Sequence, residues 1–223
     1  MNSRPPIDPK DFVREVQPIL ARQDLAGLLE FLKSRWTAEQ IVSLLKCKCC
    51  DARKVAALCL SLVGCSACLE EIAKQLRDPD PVTNEMAEHA MWAIWFRSGT
   101  PDANHQLARG ALALNRRDFE HAIRHFNRAI EICPEFSEAY NQKALAEFLL
   151  ERFEEAIHDG RVAVNLMPLH FGAWAGLGHS HAHLGQLDEA VECYEQALAI
   201  NPHMTEIRQT VAELEKRLKR QHL

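Results

Sequence analysis

Six of the chain's eight cysteines fall within 22 positions, residues 47–68, in the run CKCCDARKVAALCLSLVGCSAC. Cys47 and Cys50 form one C-x2-C pair and Cys65 and Cys68 a second, with 14 residues between them. Thiolates in two such pairs are the donor set of a tetrahedral zinc site, and the spacing is close to the one such sites use. Each pair alone also has the form of a redox dithiol, and a thiol at a helix N-terminus ionises more readily. A second constellation is His179, His181 and His183 in HFGAWAGLGHSHAHLG, 170–185. On a helix, His179 and His183 share a face while His181 points away by about 200°. That pair is half a metal site, without the carboxylate and third ligand of H-E-x-x-H.

The elements that must position the thiols keep them apart. Val55, Ala56, Cys59, Leu62 and Val63 recur at helical spacing, Asp51 has the chemistry of an N-cap and Gly64 that of a stop. A helix is therefore expected over 51–63. Thirteen residues make about 20 Å of helix, whereas zinc ligands sit about 2.0–2.3 Å from one ion. Cys47, Cys49 and Cys50 precede this helix and Cys65 and Cys68 follow it, so the two groups cannot share an ion. The expectation is thiols in turns and core, with no metal and no cofactor. Two alternatives stay open: zinc shared with another chain through the 47–50 group, and a redox dithiol at Cys65 and Cys68.

The totals narrow the partners. The 223 residues carry 26 Lys/Arg and 31 Asp/Glu, a net charge of −5, and 47% are hydrophobic, enough for one or two domains with real cores. Residues 1–100 hold 13 basic and 13 acidic residues; residues 101–223 hold 13 and 18. No global basic field draws nucleic acid or anionic membrane, and a partner attracted by charge to the second half is cationic. The start, MNSRPPIDPKDF, has no apolar run of signal-peptide length, and no stretch approaches 18 apolar residues. A cytoplasmic location with reduced cysteines is the expectation.

Internal repetition is the strongest pattern. Pro134, Pro168 and Pro202 are spaced by 34, as are Ala122, Ala156 and Ala190, and Ala129, Ala163 and Ala197. The third copy has Trp174, Leu177, Gly178, Ala190, Tyr194, Ala197 and Pro202 in order. With its period, this pattern resembles the tetratricopeptide repeat family. The first copy keeps Gly110, Ala122, Phe126, Ala129 and Pro134 but has Gln106 in place of tryptophan. The second departs most: Tyr140 replaces tryptophan, Ala144 replaces glycine, and Gly160 stands where an aromatic belongs. The resemblance implies helix pairs at about 103–136, 137–170 and 171–204, and 203–219 reads as a charged capping helix.

In that family the first helix of each repeat lines a concave groove. The resemblance thus implies a partner-binding face of Leu107, Ala111 and Asn115, then Asn141, Leu145 and Phe148, then Gly172, Ala175, Gly176, His179 and His183. His181 would take the family's tyrosine slot between helices. Gly172 and Gly176 lie outside the repeat pattern, and a glycine inside a helix costs about 1 kcal/mol relative to alanine. Either tight helix packing or a ligand on the groove floor is expected to account for them. Members that grip chaperone C-termini use a clamp of Lys, Arg and Asn on these faces. Here the matching positions hold Leu107, Ala111, Gly172 and Gly176, with Asn141 and Gln142 the polar ones, so the clamp is absent. A protein or peptide segment with apolar anchors and some basic charge is the expected partner.

The first hundred residues follow a period of 31. It aligns Glu39, Ile41 and Leu45 with Glu70, Ile72 and Leu76, and Ala56, Cys59, Leu60 and Val63 with Ala87, Ala90, Met91 and Ile94. With the phrases DARKVAALCLSLVG and DPDPVTNEMAEHAMWAIW, this resembles HEAT-like repeats of the phycobilisome-lyase type. A less regular helix pair at about 9–33 comes first, with Pro18 a candidate kink. The expected fold is all-α: an α-solenoid of paired antiparallel helices, HEAT-like over 1–100 and tetratricopeptide over 101–223, a combination similar to some bacterial proteins. Trp92, Trp95 and Phe96 at i, i+3, i+4 either pack at the junction or form an exposed patch.

No nucleophile–base pair, phosphate loop or H-E-x-x-H motif is present. The expected function is a non-catalytic interaction scaffold that takes a protein or peptide in the tetratricopeptide groove, with no nucleic acid and no membrane as partner. The alternatives are a lyase-like enzyme of the HEAT-like class, or a thiol- or metal-dependent redox protein.

Overall fold

The computed structural model describes residues 6–221; the first five residues and the last two of the domain ranges expected above lie outside them. Among the described residues there are thirteen α-helices, one short 3-10 turn and no strand. The chain divides into two compact units, Met1–Trp95 and Phe96–Leu223.

The first unit contains α1 (Pro9–Ala21), α2 (Leu25–Arg35), α3 (Ala38–Leu44), α4 (Cys50–Val63), a 3-10 turn at Ser66–Cys68, α5 (Leu69–Gln75) and α6 (Pro81–Trp95). Short polar side chains start several of them. Asp8 accepts from the backbone N–H groups of Lys10 and Asp11 at 2.9 and 3.0 Å, with Pro9 in the first helical position. Thr37 and Gln40 form a reciprocal capping box on α3. Asp80 accepts from both the N–H and the hydroxyl of Thr83 at 2.8 Å and starts α6.

The 31-residue register is visible in burial. Ile41 and Ile72, Ala56 and Ala87, Cys59 and Ala90, and Leu60 and Met91 are all fully buried. The helix expected at 51–63 forms, with two corrections. Cys49, not Asp51, is the N-cap, and it makes no side-chain cap bond; Asp51 sits in the first turn, where its charge still favours the helix dipole. The buried stripe is also rotated: Ala52, Ala56, Cys59 and Leu60 are buried, while Val55, Leu62 and Val63 are half-buried. Small residues at the contact let α4 lie close to α6, where Ala87 and Ala90 face inward. Trp95 is 1% exposed and meets the half-buried Trp92 edge-on at 5.1 Å, so Trp95 is core, while Phe96 is exposed.

The second unit contains α7 (Pro101–Asn115), α8 (Phe119–Ile132), α9 (Ser137–Leu149), α10 (Phe153–Leu166), α11 (Phe171–His183), α12 (Leu187–Ile200) and α13 (Thr205–Gln221). Each packs on the next, and α9 also touches both α7 and α11. The first helices of the three pairs thus form an inner layer. The first and third pairs close by a ring laid on a glycine. A Cβ on Gly110 would lie 2.3 Å from Phe126, and one on Gly178 would lie 2.4 Å from Tyr194. The turn within each pair carries a left-handed residue at the 34-residue spacing: Arg117 (φ 62°), Glu151 (φ 59°) and Gly185 (φ 75°). Glycine is at ease there; the other two positions are strained.

Candidate functional site

The inner-layer faces of α7, α9 and α11 hold the residues expected to meet a partner, and they are unequal. Leu107 is 1% exposed and belongs to a core cluster with Phe126 and Phe136, so its side chain offers nothing to a ligand. Ala111 is half-buried and Asn115 exposed. Asn141 is half-buried with its amide N–H directed at Glu138, and Leu145 is 42% exposed. Gly172 is half-buried, Ala175 is buried, and Gly176 is exposed.

Phe148, His179 and His183 come together. Phe148 meets His183 edge-on at 5.0 Å and His179 at 6.3 Å. Phe153, the first residue of α10, stacks on His183 at 4.7 Å and contacts Phe148 at 5.4 Å. The result is a four-ring patch with both histidines partly exposed at its edge. Burial holds His179 below the usual imidazole range, with His183 adding to the effect and Glu206 of α13 opposing it. Its Nδ1 lies 2.8 Å from the Tyr194 hydroxyl. Burial pushes that phenol up to about 12, so the O–H stays protonated in its hydrogen bond with the ring. His181 is buried between helices, its Nδ1 at 2.6 Å from Gln186 Oε1.

The glycines separate two causes. A Cβ on Gly176 would meet nothing within 4 Å, so helix packing does not account for this residue. Its carbonyl accepts from the Ser180 hydroxyl at 3.0 Å.

Sequence reasoning missed Phe153, although Phe119, Phe153 and Leu187 recur at 34 residues and mark an apolar start to each second helix. It also missed two polar clusters on α9. Glu138, fully buried, accepts from the Gln142 amide at 2.7 Å and lies 2.6 Å from His170 Nε2. His170 Nδ1 accepts the Ala173 N–H, which puts the ring proton on Nε2 and makes it the donor to Glu138. In the second cluster, Lys143 lies 2.7 Å from Asp159 and 3.6 Å from Glu147, and Glu147 Oε2 is buried with no hydrogen-bond partner. Burial and the Asp159 charge, against the pull of Lys143, push the Glu147 carboxyl up to about 7. Glu147 occupies the register position of His181, between the paired helices.

The cysteines are eight free thiols. Cys65 and Cys68 sulfurs are 4.0 Å apart, and burial pushes Cys59 up to about 12. Among the described residues no group of three or more His, Cys, Asp or Glu side chains could hold a metal ion, and no helix is long and apolar enough to cross a membrane.

Comparison with known proteins agrees with the repeats. Tetratricopeptide repeat models match residues 107–164 and 172–204. Sperm-associated antigen 1 of Mus musculus is 30% identical over 117 residues, 52% of this chain but 13% of that protein. The Hsp70-Hsp90 organizing protein of Triticum aestivum is 29% identical over 114 residues, 51% of this chain and 20% of that protein. This chain therefore spans a small part of both. Among solved structures, the Sgt2 TPR domain from Aspergillus fumigatus superposes with a TM-score of 0.53 at 20% identity, covering 56% of this chain and 83% of that one. The first TPR of Spaghetti (RPAP3), bound to HSP90 peptide SRMEEVD, gives 0.52 at 23%, covering 53% and 94%. The second unit of this chain carries tetratricopeptide repeats.

Proposed function

We propose that the chain is a non-enzymatic interaction scaffold whose tetratricopeptide inner face takes a protein or peptide segment with apolar anchors and basic charge. The observation that carries this is Gly176: an exposed glycine inside a helix, on the inner face, with no neighbour that requires it. A bare backbone costs about 1 kcal/mol there and lets a ligand approach closely. Beside it lies the Phe148, Phe153, His179 and His183 patch, and Leu145 and Leu149 are 42% and 44% exposed on the adjoining helix. Partly exposed rings and leucines on one face fit apolar anchors.

Charge supports the sign of the partner. Residues 131–204 hold 12 Asp/Glu and three Lys/Arg, and nine of those carboxylates are exposed. Such a field attracts a cationic segment and repels an acidic one. The structural neighbour RPAP3 is bound to an acidic peptide, SRMEEVD. Here Leu107, Ala111, Gly172 and Gly176 stand where a clamp for such a tail would need basic or amide groups. The first unit fits HEAT-like repeats, on the matched burial of its two helix pairs at a shift of 31.

Selection of a random peptide library on the full chain tests the reading. Enrichment of peptides with aromatic or aliphatic residues beside Lys or Arg is expected. Enrichment of acidic C-terminal peptides, or none at all, would overturn it.

A further inference from the structure

A separate feature lies between α7 and α8 in the first repeat. A cleft of about 300 Å3 is lined by Arg109 and Arg116 and, across from them, by Asp118, His121 and His125. The two histidines sit one turn apart on α8, with their Nε2 atoms 3.0 Å from each other. His125 Nδ1 is 2.9 Å from Gln106 Oε1. An amide oxygen only accepts, so His125 Nδ1 carries its proton, its Nε2 accepts, and His121 Nε2 donates.

Two ring nitrogens this close resemble a pair on one metal ion, which a tetrahedral zinc at 2.0–2.1 Å would hold about 3.3 Å apart. The surrounding charge opposes that ligand. The side chains of Arg109, Arg116, Arg117 and Arg124 make no ion pair or hydrogen bond among the described residues. His125 is held below the usual imidazole range by burial first, then by Arg109, His121, Arg124 and His105. Two acids stand nearby, against four arginines. Asp118 accepts the His121 backbone N–H at 3.2 Å, with its other oxygen 3.8 Å from His121 Nδ1, and Glu120 pairs with Arg152. In a unit that is otherwise acidic, this cleft gathers unpaired guanidiniums, and a bound cation would be repelled by them.

We propose that the α7–α8 cleft is a binding site for a phosphoryl dianion, held by Arg109 and Arg116, with His121 and His125 as a wall that gains a proton when the anion enters. Two guanidiniums match the −1.5 to −2 charge of a phosphoryl group near pH 7 and offer planar donor pairs to its oxygens. A single carboxylate would leave one of them unpaired. The groups that face His125 are Gln106, Arg109 and His105 from α7, His121 and Arg124 from α8, and Arg116 and Asp118 at the turn. Burial comes first in keeping His125 neutral and the arginine charges second; an incoming anion offsets the second, so binding is coupled to proton uptake by the histidine pair.

The test uses the full chain and inorganic phosphate, followed by calorimetry and 31P NMR at constant ionic strength. Saturable binding is expected, tighter at pH 6.5 than at pH 7.5. Arg109→Gln/Arg116→Gln should weaken it at least tenfold with an unchanged helical circular dichroism spectrum, and Arg161→Gln, elsewhere in the unit, should leave it unchanged. A phosphoserine peptide that binds at least tenfold more tightly than inorganic phosphate assigns the group to a protein; equal affinities assign it to a small molecule. No saturation at millimolar phosphate, unaltered binding by the double variant, or stoichiometric zinc uptake without phosphate binding would overturn the proposal.

Discussion

Arg53 in the first unit meets one carboxylate, Asp78, through two hydrogen bonds of 2.6 and 3.0 Å; Lys143 in the second unit serves two, Asp159 and Glu147. Both clusters are largely withdrawn from water. In the first, charge is matched one to one in the planar geometry that a guanidinium favours, and Arg53 also donates to the Cys47 carbonyl at 3.1 Å. Asp78 is held below the usual carboxylate range mainly by the Arg53 hydrogen bonds. In the second, one ammonium faces two carboxylates, and burial together with the Asp159 charge pushes the Glu147 carboxyl up to about 7. The first cluster pins a turn between helices. The second stands at register positions that hold Arg109, Ala113 and His125 in the first repeat and Leu177, His181 and Cys193 in the third.

Removing one partner should have its largest effect where matching is best. Asp78→Ala leaves a nearly buried guanidinium unpaired and should cost the first unit about 3 kcal/mol. Urea unfolding read by tryptophan fluorescence reports this, because Trp36, Trp92 and Trp95 lie in that unit. A loss under about 1 kcal/mol would mean that the pair is replaceable.

Glu147→Gln should act in the opposite direction. With Glu147 raised to about 7 in the folded chain and ordinary when unfolded, the folded form binds the extra proton between about pH 4.5 and 7. This carboxyl therefore makes stability fall as pH rises through that window. The glutamine variant should be more stable than wild type at pH 8, on the order of 1–3 kcal/mol, and equal to it near pH 4.5. Parallel stability-against-pH curves for the two proteins would show that Glu147 does not carry the imbalance.

The glycines of α11 sharpen the contrast between packing and surface within one helix. Gly178→Ala drives a Cβ into Tyr194 and should cost about 1–3 kcal/mol. Gly176→Ala, two residues earlier, meets nothing and should stabilise by about 1 kcal/mol. Chemical denaturation of both variants checks the signs, and two losses of similar size would remove the distinction.

The repeat architecture of the second unit was legible because its period is written in alanines and prolines at 34 residues, where helix contacts tolerate only small side chains. The separation of the cysteine groups was legible for a similar reason: α4 has no breaker until Gly64. The rotation of its buried stripe was not, because Ala52 and Leu60 compete with Val55 and Val63 on apolarity alone and only the alanines of α6 decide between them. Leu107 was assigned to the inner face by register, yet Phe126 and Phe136 cover it. The charged cluster of the second repeat was written as departures from the pattern at Lys143, Glu147 and Gly160. What fills the vacated aromatic place was not: it is Leu177 from the next repeat, 2.9 Å from where a Gly160 Cβ would lie.

Phe148 is the residue on which a partner at the inner face depends most, since its ring joins α9 to α10 and to both histidines of α11. The measurement is the affinity of one selected basic, apolar peptide for wild type, Phe148→Ala and Gly176→Ala, by fluorescence anisotropy, with helicity monitored alongside. A loss of at least tenfold is expected for Phe148→Ala with the helices intact, and a weaker complex for Gly176→Ala despite its greater stability. Wild-type affinity in both variants would contradict it.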